Sequence, residues 1–421
     1  MRFYADLHLH SHYSRATSKE MNVLDLSKYA KYKGLNLLGT GDFQHPKYLE
    51  ELRSKLKPTG TGLYEYDGIY YVLQTELANI YTHNGKGRKI HHLILVPDFN
   101  AADQLQKELL KWGRIDYDGR PIFGKSSQEL VKTVMAIDPK CEVIPAHIWT
   151  PWFGLLGDMG GYNSLKECYE DEIKHIHALE TGLSSDPAMN WRCSSLDKYS
   201  LISNSDSHSP WPWRMGREAN VFDIEPSYNS LINALRTKHG FSGTIEVDPA
   251  YGKYHWDGHR ACGVSYSPIE SLKHNHICPV CKKPLTIGVE SRVEQLADNP
   301  IGRKPEGAVP YKSLVTLADI LASFLGKGLG TKTVWTAYTQ WINHFGTEFN
   351  ILIDAPEEEL LAFSKEVGEA IIKIRHGEFK VKPGYDGVYG SIIIDGRELS
   401  AEKDEPELKK AEPQSDLNKF F

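Results

Sequence analysis

The first 245 residues alternate short apolar runs with amphipathic stretches. Seven runs predict strands, over 2–9, 35–40, 69–77, 90–96, 142–146, 178–181 and 201–204. Between several of them, apolar positions recur at three- and four-residue spacing, over 23–33, 47–57, 101–111 and 128–137, predicting helices. Such alternation predicts an α/β domain over 1–245, built around a largely parallel sheet or barrel. The pattern then changes. Residues 246–300 are dense in His, Cys and turn formers and predict a small metal-stapled module. Residues 301–395 carry helical periodicity over 315–325, 332–345 and 356–372, closed by a strand at 391–394. The last segment, 396–421, opens with the charged, Pro-punctuated run GRELSAEKDEPELKKAEP, which predicts a flexible linker.

Composition narrows the class. With 40% hydrophobic and 25% charged residues over 421 positions, the chain is not a disordered one. It contains no apolar run of about 18 residues, which excludes a spanning helix. The N-terminus MRFYADLHLHSHYS lacks the apolar core of a signal peptide, so an intracellular protein is expected. The net charge of −6 sits wholly in residues 351–421, with 16 acids and 10 bases; residues 1–350 balance at 39 against 39. A balanced body neither favours nor excludes a nucleic-acid partner, because the formal count omits any bound cations.

The chemistry lies at the ends of the predicted strands. There stand the pair His8 and His10, then Asp42 with His45, Glu76, the pair His91-His92, His147, Glu180, and Asp206 with His208. Strand alternation places His8 and His10 on one face, as two ligands of one ion require. Eleven of the 18 histidines precede residue 210. Imidazoles and carboxylates repeated at matching positions predict a multinuclear metal centre at the C-terminal edge of the sheet, where α/β enzymes carry their sites.

The ordered set HxH, GxGD, Glu, HHL, His and SDSH resembles the PHP (polymerase and histidinol phosphatase) superfamily. The resemblance implies a distorted seven-stranded βα barrel over about residues 1–225 with two or three divalent metals, zinc, magnesium or manganese. It implies one metal on His8, His10, Glu76 and Asp206, and a second sharing Glu76 with His92 and His147. A third would take Asp42 or His45 with His208. Alternation lets only one of His91 and His92 face the site, and the His preceding Leu fits the family pattern. Adjacent divalent ions suit phosphoester hydrolysis by activated water, with Asp206, Glu76, His8 and His147 as the catalytic set.

A second constellation is His259-x2-Cys262 followed by Cys278-x2-Cys281, the spacing of a closed structural zinc site; His255, His274 and His276 are rival fourth ligands. A third is the C-terminus, Gln414-x2-Leu417-x2-Phe420-Phe421, which resembles the PIP box that docks on the sliding clamp proliferating cell nuclear antigen. A single tight turn would put Leu417, Phe420 and Phe421 on one face as an aromatic anchor. Weaker signals for DNA contact are Trp149, Trp152 and Trp211, which follow metal candidates, and Lys327 and Lys332 in a Gly-rich connection.

A PHP-type barrel, a zinc module, a helical C-terminal region expected to bind DNA, and a clamp motif in one chain resemble the endonuclease Q family. So do SRATSKEMN, PAHIWTPWFG, ETGLSSDPAMNW and DGHRACGVS. That family nicks DNA 5′ to deaminated bases (hypoxanthine, uracil, xanthine) and abasic sites in archaeal cells. The resemblance implies a monomeric DNA repair nuclease of the cytoplasm and nucleoid. Two other functions stay open on the residues alone: a phosphatase acting on a small phosphomonoester, and a non-catalytic, clamp-tethered DNA-binding protein.

Overall fold

The computed structural model describes residues 1–394 and 396–400; the clamp motif at 414–421 lies outside them. The strand Arg2–Asp6 runs parallel to Leu37–Gly39, which runs parallel to Ile69–His83. The remaining long pairings are antiparallel. Ile69–His83 pairs with Lys86–Val96 and that with Glu142–Pro145, while Arg2–Asp6 pairs on its other side with Ala219–Asp223. The sheet is therefore mixed, not largely parallel. One cause is local: Asn84 and Gly85, at φ 53° and 71°, form a two-residue turn that folds one long strand directly onto the next. A short parallel pair, Ala178–Glu180 with Ser200–Ile202, continues beyond Glu142–Pro145, where Ile148 N–H donates to the Glu180 carbonyl at 3.0 Å.

Both faces of the central strands are buried. Leu37, Val72, Leu93 and Ile144 join one apolar cluster with the helix Tyr228–Thr237, whereas their neighbours Leu38, Leu73, Ile94 and Val143 join another under the helices Val23–Lys33 and Phe99–Trp112. This explains why the strands read as continuous apolar runs, and polar residues appear only where they end.

Residues 246–300 form a hairpin of Asp257–His259 and Val264–Tyr266 with the helices Pro268–Lys273 and Val289–Leu296. Its own apolar core is small, centred on Val264, Cys278 and Leu285, while Val289 and Val293 of its second helix join the main cluster. The segment after 300 begins by extending the large sheet: Tyr311–Ser313 lies parallel to Phe241–Glu246. Helices Leu317–Leu325 and Lys332–Phe345 follow, and the helix predicted over 356–372 is two, Glu357–Phe363 and Lys365–Arg375, broken at the extended Ser364. Part of the predicted linker is ordered: Arg397–Ser400 turns back at Gly396 and pairs with Ser391–Ile394. Among the described residues, no helix is long and apolar enough to cross a membrane.

Candidate metal centre

Four segments meet at one point. His8 and His10 lie just beyond Arg2–Asp6, where Leu9 bridges Ser207 in parallel. Glu76 projects from the middle of Ile69–His83, His147 follows Glu142–Pro145, and Asp206 follows Ser200–Ile202. Asp42, His147 and Asp206 adopt φ of 35°, 31° and 47°, a left-handed backbone costing a non-glycine residue about 1–3 kcal/mol. The bend turns each chain away just past its strand.

His8 Nδ1 lies 2.9 Å from Glu180 Oε1, which leaves Nε2 facing Glu76 Oε2 at 3.7 Å and Asp206 Oδ1 at 3.6 Å. That nitrogen is buried and makes no hydrogen bond. His10 repeats the arrangement, with Nδ1 3.0 Å from Asp42 Oδ1 and Nε2 at 3.3 Å from Glu76 and 3.0 Å from Asp206. Ligand atoms sharing one ion at bonds of about 2.0–2.2 Å stand roughly 3–3.5 Å apart, so the donor set fits a divalent cation. A second group, Glu76, His91 and His147, is as tight: His91 Nδ1 and His147 Nε2 lie 2.8 and 3.2 Å from Glu76 Oε1. Glu76 belongs to both groups.

Charges here are strongly coupled. Burial opposes ionisation of Glu76, but His91, Arg120 and His8 hold its carboxyl well below the usual range. Asp206 is likewise held low against burial, by His8 and His10. Burial drives His91 down to about 4 against the pull of Glu76.

Several expectations need correction. His92 does not face the site. Cross-strand register pairs it with Leu77, whereas His91 pairs with Ala78 and so shares the face of Glu76. His92 Nε2 lies instead 2.9 Å from the Tyr169 hydroxyl. Asp42 stands behind His10, accepting from Ser11 N–H at 2.6 Å and from the Ser11 and Ser14 hydroxyls. His45 stacks on Tyr13 and lies 3.1 Å from the Asp116 carbonyl, away from both groups. His208 packs against the His10 ring at 4.4 Å, at the rim, with Nδ1 3.0 Å from the Asp206 carbonyl and 3.9 Å from its carboxylate. Sequence reasoning gave Glu180 no ligand-orienting role and missed Arg120, whose Nη1 is 3.1 Å from Glu76 Oε2.

The chain is similar along nearly its whole length to the lesion-specific endonuclease PfuEndoQ of Pyrococcus furiosus. Identity is 33%, the TM-score is 0.84, and the match covers 93% of this chain and 95% of that one. The chain belongs to the endonuclease Q family. A second endonuclease Q structure, complexed with a 27-mer duplex carrying an abasic lesion, matches equally, at 33% identity and TM-score 0.84 over 93% of this chain and 96% of that one. The uncharacterized protein YqxK of Bacillus subtilis is 29% identical over 93% of this chain and 99% of its own length. The uncharacterized protein MJ0043 of Methanocaldococcus jannaschii is 32% identical over 62% of this chain, which spans only a third of that protein's length. The family model of the MJ0043 C-terminal domain matches residues 316–378, the helical segment.

This endonuclease Q family chain also carries a compact thiol group. One ligand atom each from His259, Cys262, Cys278 and Cys281 lie within 4.8 Å of one another, and Cys281 Sγ is 3.6 Å from His259 Nδ1. The rival histidines are engaged elsewhere: His255 with Glu290, His274 on the Tyr266 ring, His276 with Asp257. The tryptophans divide. Trp149 is fully buried and donates to Asn190 Oδ1 at 2.8 Å, so it is a core residue and offers no DNA surface. Trp152 meets Tyr254 edge-on at 4.9 Å and is half-buried. Trp211 stacks on Trp213 at 5.2 Å, and both rest edge-on against Trp335 of the helix Lys332–Phe345. Lys327, between the first two C-terminal helices, and Lys332, which opens the second, are exposed.

Proposed function

We propose that the chain is a metal-dependent DNA repair endonuclease that nicks the phosphodiester 5′ to a damaged nucleotide. The end-to-end match to a lesion-specific endonuclease carries this reading. A relative bound to duplex with an abasic lesion supports DNA as the substrate. We assign abasic sites and deaminated bases, hypoxanthine, uracil and xanthine, as the lesions. Deaminated pairs are weaker, so such a nucleotide leaves the stack at lower cost.

His8, His10, Glu76 and Asp206 are assigned to one divalent cation, and Glu76, His91 and His147 to a second. Cations there supply Lewis-acid activation of water and neutralise charge on the phosphate. The chain's own part is positioning. Glu180 and Asp42 fix the His8 and His10 rings so that both Nε2 atoms face inward. Burial of Glu76 excludes bulk water from the shared carboxylate. We read the mixed sheet with its short parallel pair as the distorted seven-stranded barrel, residues 1–245 as the catalytic unit, and 301–395 as a DNA-binding unit. His259, Cys262, Cys278 and Cys281 are assigned to a structural zinc that folds 246–300. Gln414, Leu417, Phe420 and Phe421 are assigned to the sliding clamp.

End-labelled duplexes, undamaged and deoxyinosine-containing, test this reading. A nick 5′ to the lesion that requires a divalent ion and leaves a 3′-hydroxyl is expected. No cleavage with magnesium, manganese or zinc would overturn it. Deleting residues 417–421 should leave that nicking intact and remove only stimulation by the clamp.

A further inference from the structure

Arg120 is a strong base at the centre that no expected metal set uses. It sits in Asp118-Gly119-Arg120-Pro121, between the helix Phe99–Trp112 and the strand Ile122–Phe123. The backbone there is pinned from three sides. Gly119 N–H donates to the Tyr13 carbonyl at 3.1 Å, the Gly119 carbonyl accepts from Gln44 Nε2 at 2.7 Å, and the Pro121 carbonyl accepts from Ala78 N–H at 3.1 Å. Gly119 passes so close to the carboxylate behind His10 that a Cβ would stand 2.6 Å from Asp42 Cγ. The loop is thereby held against the ligand layer, and Arg120 is carried to its edge.

The guanidinium has two environments. Nη1 reaches inward to Glu76 Oε2 at 3.1 Å, while a third of the side chain is exposed. Among the described residues its remaining N–H groups have no partner. The surrounding histidines can surrender lone pairs to cations; a guanidinium has none to give. Once cations neutralise Glu76, the free N–H groups of Arg120 remain the centre's built-in anion donors, aimed at the solvent side from which a phosphodiester must arrive.

Building on the nuclease reading, we propose that Arg120 is a catalytic residue that grips a non-bridging oxygen of the scissile phosphate and orients the diester over the cation pair. A planar fork suits that task, since it places two donors along one phosphate edge. The competing role, a mere counter-charge for Glu76, makes different demands on the protein.

The test compares the metal-loaded wild type with Arg120→Ala and Arg120→Lys. Three readouts are taken: metal content after dialysis, single-turnover cleavage of an abasic duplex, and binding of inorganic phosphate by equilibrium dialysis. The proposal expects unchanged metal content, cleavage lowered about 10²–10³-fold in Arg120→Ala, as for loss of one transition-state donor, partial recovery with added ethylguanidinium, and weakened phosphate binding. Lysine should recover only part, having lost the fork. Metal loss in step with activity would assign Arg120 to holding Glu76 and overturn the proposal; so would cleavage within threefold of wild type. The phosphate readout separates the two failures. If the wild type cuts no damaged duplex, the nuclease reading falls, yet Arg120-dependent phosphate binding still decides the role of this residue.

Discussion

Lys33 Nζ lies 2.8 Å from Glu348 Oε1, with both side chains withdrawn from solvent. The lysine ends the first helix of the α/β domain, and the glutamate follows the helix Lys332–Phe345, so the pair crosses between the two regions. Its remaining valences are filled: Lys33 also donates to the Pro212 carbonyl at 2.8 Å, and Glu348 accepts from Leu317 N–H and the Tyr338 hydroxyl.

Breaking that pair from one side should be costly. Lys33→Met or Glu348→Gln strands a buried charge, and a loss of about 3–5 kcal/mol is expected from urea unfolding. The double variant should be less unstable than the two single losses added together. Strictly additive losses would show that the two groups are not energetically joined.

His91 and His92, adjacent in sequence, should fail differently. His91→Ala is expected to lose one metal equivalent and most nicking activity, since its ring faces Glu76. His92→Ala should retain its metals and lose stability instead, by about 1–3 kcal/mol, because the Tyr169 hydroxyl loses a buried partner. Elemental analysis beside thermal unfolding distinguishes them.

Glu180→Gln tests the orientation of His8. It removes the carboxylate charge beside Nδ1 without emptying the space, and divalent-ion affinity should fall about 10–100-fold. The variant's circular dichroism should match the wild type. Undiminished affinity, measured by chelator competition, would mean that the His8 ring is held by packing alone.

A pH effect is expected from Glu246 and Glu218, two fully buried carboxyls that repel each other. Burial raises Glu246 to about 8, so the folded chain keeps a proton that the unfolded chain loses near 4.5. Stability should therefore fall as pH rises between those values, by up to about 1.4 kcal/mol per pH unit. Glu246→Gln should flatten the slope and raise the melting temperature at pH 8, with little effect near pH 4.5.

Much of the centre was legible because its residues close apolar strands, a pattern that survives without coordinates. His8, His10, His147 and Asp206 share that position, whereas Glu76 stands in the middle of Ile69–His83, and the group of His259, Cys262, Cys278 and Cys281 has a spacing local enough to read from sequence. What escaped depends on relationships across the chain. Choosing His91 over His92 requires knowing that Ala78 lies opposite, and the turn at Asn84-Gly85 that fixes this register went unread. Glu180 ends a strand like the others, and only its distance from His8 reveals a supporting role. Arg120 lies in an irregular connection with no periodicity to mark it. Trp149 follows a ligand in sequence, but the backbone bend at His147 sends its ring into the core.

The stacked Trp211 and Trp213 sit three and five residues beyond His208 and lean on Trp335 of a C-terminal helix. The loop that carries Asp206 is thus propped from outside its own domain. An excised N-terminal half would lack that prop, and the helical half could not be exchanged for another fold without recutting the aromatic joint. Whatever displaces the helix Lys332–Phe345 is therefore felt, through three indole rings, by the loop that leads back to Asp206.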